Sequence, residues 1–506
     1  MLDSIMANAA LHVHSLNGQK AMASVKKTAK TDGYAKSILL RFAHLLSAQG
    51  VEGIASTLFF LYLAWLDKDF YGEVMLALAA GAILTKVVNF GLYYPQVADL
   101  GRADEQEKAA ITSRVNIIKM CLLLVSLLAL WGVSGYRGYS VQLGWIVLVI
   151  ALGFGIEELA DTFFADMRVR GLQKTEARIK ILASAGSYGY GLVTALLGLP
   201  PVCVALFKLV SGLIRLMPGV IWYAKTYSSK LAVIPSAWSP VISTFRTAAI
   251  FALIQILGTV YNKLNYFFLE QAAGRDGVAV YSATYNIVDP VSILASEQLL
   301  GWVVFPVLSV LWWTRKDEVA SLVRNTALWL IAIAVPIMFV LHTESGLIIG
   351  FLYPTEFAEA ASLQTYLVWS ILLSFESNLF QYVMVVAGAA RTLLLFQAIT
   401  TVTNLLLNVL LVEPLGPLGA CLVLVFTKLT MTMLAFVYCQ VRFRFFTFTD
   451  FVFPMAVSLL TVAAFAIARP VVGQHVAVTI TMIGYLGLLW KLGFRYLGVF
   501  PKKSEG

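Results

Sequence analysis

Of 506 residues, 59% are hydrophobic and only 13% charged, which is more apolar surface than a soluble protein of this size can hide. The sequence therefore describes an all-α polytopic membrane protein. The net charge of +9 does not point to nucleic acid, because the basic residues lie between apolar spans and form no single patch. Cys121, Cys203, Cys421 and Cys439 fall in or beside apolar spans without a CxxC pair and read as packing thiols. His12 and His14 share the polar tail, while His44, His342 and His475 are scattered, so no metal cluster and no cofactor is expected.

Residues 1–40 are polar and carry Lys20, Lys26, Lys27, Lys30 and Lys36. No apolar core follows promptly on a basic start, so this reads as a cytoplasmic tail and not a cleavable signal. Anchoring to the lipid surface is the alternative. Fourteen apolar spans follow, at about 42–65, 73–98, 113–134, 141–163, 178–198, 202–224, 243–269, 279–310, 325–349, 361–388, 392–412, 417–440, 451–469 and 474–494. With the N-terminus inside, 28 Lys and Arg fall on the inner side and five outside, namely Lys68, Arg137, Lys263, Arg275 and Arg469. That asymmetry predicts cytoplasmic termini and a cytoplasmic 225–246 loop. The remaining four, Lys86, Lys208, Arg215 and Lys428, lie within spans.

The chain divides into the tail, a six-helix half at 41–240, a second six-helix half at 241–445, and two extra helices with a basic tail at 446–506. The run LDKDFYGEVMLALAAG after the first span is echoed by AAGRDGVAVYSATYN after the seventh. Both repeats start on the inner side, so they are parallel repeats that would flank a central cleft. No soluble domain, P-loop or Gly-rich nucleotide fingerprint is present, which argues against an enzyme and against ATP-driven transport by this chain alone. Residues 245–313 hold two apolar spans around a Gly-rich turn at Ala272–Gly277. Gln255, Thr259, Asn262 and Tyr266 share one helical face of the first span, while Asp289 and Glu297 lie in the second. Such groups cost free energy against lipid, so this face should meet protein or a wet cavity.

Three stretches carry a family resemblance: YLAWLDKDFYGE at 62–73, VAVYSATYNIVDP at 278–290 followed by Phe305-Pro306, and TNLLLNVLLVEPLGPLGA at 403–420. In this order, over residues 40–440, the chain resembles the polysaccharide and O-antigen (Wzx-type) flippases of the multidrug/oligosaccharidyl-lipid/polysaccharide exporter superfamily. It departs from them in having Asn262, Lys263 and Asn265 where an acid is frequent, and fourteen spans where many have twelve. Fourteen is the number in the peptidoglycan-precursor flippases, and the extra pair reads as packing or as a lipid-tail groove. The resemblance implies movement of an undecaprenyl-pyrophosphate-linked oligosaccharide across the inner membrane. Its partners would be that substrate, membrane lipids, a polysaccharide polymerase and glycosyltransferases.

Charges inside the spans bear on mechanism. Glu52 and Lys86 are about equally deep, which predicts an ion pair, and a similar count sets Glu376 level with Lys428. Lys208 and Arg215 share a face of span 6 with no acid at their depth in their own hairpin. They would therefore meet an acid of the other half, an anionic ligand, or the interfaces by snorkelling. Lys86, Lys208, Arg215 and Lys428 are thus candidate cavity cations for a pyrophosphate, with Tyr261, Tyr266, Tyr281, Tyr285, Asn262 and Gln381 as sugar contacts. Coupling to H⁺ or Na⁺ would fall to Glu52, Asp289, Glu297 and Glu376, with Asn404, Asn408, Thr400 and Thr403 as oxygen ligands. For Asn404 and Asn408, interhelical hydrogen bonding is the favoured alternative. Two other functions fit the sequence: a multidrug or cation exporter, which would need an acidic cavity, and a non-transporting partner of a glycan synthase.

Overall fold

The computed structural model describes residues 31–227, 239–293, 300–301 and 304–489, and every regular element among them is helical. The first eight helices are α1 (Thr31–Leu66), α2 (Lys68–Asn89), α3 (Tyr93–Leu100), α4 (Glu105–Tyr136), α5 (Val141–Val169), α6 (Gln173–Leu196), α7 (Pro201–Ala205) and α8 (Phe207–Tyr227). Next come α9 (Ser239–Ile293), α10 (Phe305–Thr314), α11 (Lys316–Thr343), α12 (Ser345–Leu352) and a 3-10 turn at Thr355–Phe357. The chain ends with α13 (Glu359–Leu367), α14 (Trp369–Val386), α15 (Ala390–Phe443), α16 (Phe448–Val472) and α17 (Gln474–Leu488). Helix occupies most of the described part of each expected range, with breaks at 90–92, Leu206, Glu344 and Val368. Among the described residues, eight helices are long and apolar enough to cross a membrane. Their outward faces are bare of protein: Leu124, Val125 and Leu128 of α4 are each more than 60% exposed, as acyl-chain contact requires. This is a multi-pass membrane protein.

Two long helices are hairpins. Tyr266 and Tyr281 would lie about 22 Å apart on a continuous helix, yet their rings are 5.3 Å apart. The chain turns back at Gly274, whose φ of 66° only glycine adopts without strain. The same holds for α15, where Gly416 has φ 54° and Asn404 reaches Thr427 at 3.0 Å. The Gly-rich turn expected at Ala272–Gly277 is thus present.

Contacts divide the chain into two compact units, Met1–Tyr62 with Ala80–Ala252, and Leu63–Ala79 with Leu253–Gly506. In the first, α5 is central and packs on α4, α6 and α8. Glycines set the α5–α8 distance. A Cβ on Gly153 would come within 2.5 Å of the Lys208 carbonyl carbon, and one on Gly212 within 2.8 Å of the Gly153 oxygen. Small residues let helix backbones approach in this way inside a membrane. In the second unit, α14 packs on α15, and α16–α17 pack on α11 through Phe339 against Phe465 and Tyr485 donating to the Ala332 carbonyl at 3.0 Å.

Candidate functional site

The close approach of α5 and α8 assembles a buried network of charges in the first unit. Lys208 Nζ lies 2.7 Å from Glu157 Oε2 and 4.0 Å from the centre of the Phe154 ring. Ser211 donates to the other Glu157 oxygen at 2.6 Å. Arg215 bridges two acids, 2.7 Å from Glu52 and 3.6 Å from Glu157. Along the same helix, Glu158 accepts from Lys119 at 3.2 Å and from Asn89 at 2.8 Å, and Asp161 accepts from Arg168 at 2.7 Å. Arg168 also holds Glu176, which pairs with Lys180 at 2.8 Å. These groups border a cavity of about 150 Å³ lined by Glu157, Glu158, Asp161, Lys180 and Arg215. That volume has room for several waters. The carboxylates facing it are each neutralised by a cation of the protein.

This arrangement corrects two expectations. Glu52 pairs with Arg215 and not with Lys86; Lys86 is half-buried and makes no ion pair among the described residues. Lys208 and Arg215 do have acids, supplied by α5 and α1 of their own unit and by neither the other half nor a ligand. Lys119, counted above with the inner-side basic residues, is 1% exposed inside α4.

The second unit holds a different site. Across the Gly274 turn, Tyr266, Tyr281 and Tyr285 bring their rings within 5.3 to 5.8 Å of one another. Lys263 Nζ donates to the Tyr285 hydroxyl at 3.2 Å and lies 4.3 Å from that ring's centre. Asp289, one turn beyond Tyr285, is close enough to act electrostatically on both Lys263 and Lys428. Lys428 is 7% exposed and forms no ion pair among the described residues. A buried and a half-buried lysine thus face one carboxylate, an excess of basic groups that a bound anion would complement.

Beside it lies an amide cluster. Asn404 and Asn408 both donate to Asn265 Oδ1, at 3.2 and 3.0 Å, Asn404 also donates to Thr427 at 3.0 Å, and Asn265 donates to the Ala420 carbonyl at 2.9 Å. All four side chains are at most 1% exposed, and no carboxylate takes part. The amides tie α9 to both arms of α15, leaving Asn408 Oδ1 buried without a partner, so interhelical hydrogen bonding accounts for the donors of Asn404 and Asn408.

The other expected site residues do not converge. Gln255 is half-buried, and Asn262 donates to its own helix at the Gly258 carbonyl. Gln381 accepts from Gln397 at 2.9 Å. Glu297 lies outside the described residues. Glu376 is not level with Lys428: Leu373 accepts from Thr432 and Phe380 from Cys439, a constant offset that sets Glu376 beside Ala435. That is seven residues beyond Lys428, or about 10 Å of rise. Glu376 Oε1 is buried without a hydrogen-bond partner.

Sequence reasoning missed Glu157, Glu158 and Asp161, although three acids within five residues of an apolar span was a signal. Depth counting across hairpins would have found one of the contacts of Glu157, since Glu157 and Arg215 each lie twelve residues from the C-terminal ends of α5 and α8.

The sequence profile of a family described as polysaccharide biosynthesis protein matches residues 63–362, and the chain belongs to that family. A search of curated proteins finds no match. Among solved structures, a lipid II flippase MurJ in an inward closed conformation superposes with TM-score 0.60 at 12% identity, covering 91% of this chain and 99% of that one. An inward-facing multidrug resistance MATE family transporter of the MOP superfamily gives TM-score 0.58 at 16% identity, covering 77% and 94%. A MOP superfamily transporter from Pyrococcus furiosus, described by the reversed polarity of its binding pocket, gives 0.55 at 15%, covering 80% and 95%. The fold is that of the MOP superfamily transporters.

Proposed function

We propose that the protein moves an undecaprenyl-pyrophosphate-linked oligosaccharide from the inner to the outer leaflet of the inner membrane by alternating access. The product would feed synthesis of a cell-surface polysaccharide such as O-antigen, capsule or exopolysaccharide, alongside glycosyltransferases and a polymerase, with both termini in the cytoplasm. Membership in a polysaccharide biosynthesis family, together with a fold shared with a lipid II flippase, supports this reading. The observation that carries it is Lys428, buried beside Lys263 without an ion pair among the described residues. A buried cation without a partner is expensive, and a pyrophosphate would offset that cost. Tyr266, Tyr281 and Tyr285 beside Lys263 are buried and pack on one another, so the sugars would make their contacts elsewhere. Lys86, the other unpaired cation singled out within the spans, remains a candidate contact, whereas Lys208 and Arg215 hold helices together.

A multidrug or cation exporter would need free carboxylates at a cavity, and those around α5 are paired. Any coupling proton or Na⁺ would act at acids without a bonded cation, such as Glu376 or Asp289, in preference to the amide cluster. The reading is tested by complementing a strain that lacks its own flippase. Lys428→Ala with Lys263→Ala should abolish surface glycan at normal protein level. Wild-type glycan from that variant would refute the anion site.

A further inference from the structure

Among the described residues, eight glycines take a positive φ and only two other residues do, Phe90 at 43° and Arg444 at 54°. A side chain in that conformation costs free energy that glycine does not, so it points to a role elsewhere. Phe90 has its role inside the protein, because its ring packs against Leu92, Val115 and Ala248. Arg444 does not. It follows the last residue of α15, is exposed, and makes no ion pair among the described residues.

The turn that carries Arg444 is pinned on both sides. The Gln440 side chain donates to the Phe446 carbonyl at 2.7 Å and accepts from the Phe446 N–H at 3.1 Å. Phe445 and Phe446 are buried, and the Phe443 ring stacks on Phe445 at 5.3 Å and meets Trp312 of α10 edge-on at 5.1 Å. Arg442, also exposed and without an ion pair among the described residues, lies on the other side of Phe443 in sequence. Two guanidiniums thus flank a fixed ring. Arg315, three residues beyond Trp312, already has Glu318 at 3.0 Å.

This turn lies at the membrane boundary, because Arg444 falls in the short link between α15 and α16, which both hold spanning segments. Trp313, next to Trp312, is 60% exposed, and tryptophan favours that boundary. Outside the protein at this level are water and lipid headgroups. Contact with water alone would leave the left-handed arginine uncompensated, whereas a guanidinium binds phosphate bidentately and anionic lipids attract basic groups at their surface.

We propose that Arg442 and Arg444 form a docking site for the phosphate headgroup of an anionic phospholipid of the bilayer that the protein spans. The site rests neither on the transport reading nor on the buried lysines.

The test is thermal unfolding of the full chain in nanodiscs of phosphatidylcholine, with and without phosphatidylglycerol. Wild type should melt at a higher temperature when phosphatidylglycerol is present, and Arg442→Gln with Arg444→Gln should lose most of that rise. Lys174→Gln with Arg178→Gln removes the same charge from exposed positions on α6 and should keep it. Arg444→Gly should melt above wild type in phosphatidylcholine alone, because the turn is relaxed, yet gain less from phosphatidylglycerol. The proposal is overturned by any of three results: no rise in wild type, a full rise in the Arg442 and Arg444 variant, or an equal loss in the Lys174 and Arg178 variant, which would reduce the effect to net charge. An Arg444→Gly variant that gains as much as wild type would overturn it too.

Discussion

The α5–α8 region of the first unit and the α9–α15 region of the second both bury lysines, but under different conditions. In the first, Lys119, Lys208, Arg168 and Arg215 each have a carboxylate within 3.2 Å, and the surrounding helices are drawn together by glycines. In the second, Lys263 and Lys428 have tyrosines and a shared Asp289, and the neighbouring polar groups are neutral amides. A cation already paired with protein acids is poorly placed to take a ligand's charge. A cation without such a partner is held at a cost that a bound anion can offset. On this proposal it is pairing, and not burial alone, that separates the structural cations from those that would bind the ligand.

Mutations in the two regions should separate on that basis. The largest effect is expected for Arg215→Ala, which strands Glu52 and leaves Glu157 to Lys208 and Ser211, and should cost about 3–5 kcal/mol. Its melting temperature in detergent should fall sharply, and adding Glu52→Gln should recover part of the loss. Strictly additive losses would mean that the two side chains are not coupled. Next comes Gly153→Ala, whose methyl group would collide with the α8 backbone; overpacking of this kind costs about 1–3 kcal/mol. A variant as stable as wild type would contradict the close α5–α8 contact. Asn265→Ala removes the shared acceptor of two amides and should cost about 1–2 kcal/mol. Thermal stability measured with and without Na⁺ should show the same loss in both; a loss confined to Na⁺ buffer would mean that the cluster binds the ion. The smallest change is expected for Lys86→Gln, within about 0.5 kcal/mol, because no paired acid is left behind.

Much of the fold was legible in the sequence because membrane spans are a local property. Length and hydropathy located the helices, and glycine marked the turns at Gly274 and Gly416. The site was legible only in part. Asn404 and Asn408 lie one helical turn apart, and their polarity in an apolar run announced interhelical bonds. Which helices are neighbours is a tertiary fact, so Glu52 was matched to Lys86 by depth when Arg215, from a more distant span, takes it. Lys208 and Arg215 were compared only with their own hairpin, and the acids that neutralise them sit on α5 and α1. Lys119 was misread because it lies near the start of the expected span 113–134, whereas α4 begins at Glu105 and carries it near mid-helix, turned toward Glu158.

The central claim is that the unpaired lysines of the second unit, and not the paired ones of the first, receive the anionic headgroup. The most direct test is the melting temperature of purified Lys428→Met with and without undecaprenyl pyrophosphate. Removing an unpaired buried charge should leave the unliganded protein at least as stable as wild type, while the stabilisation by the lipid pyrophosphate seen in wild type disappears. If Lys428→Met is stabilised by undecaprenyl pyrophosphate as strongly as wild type, the account is contradicted.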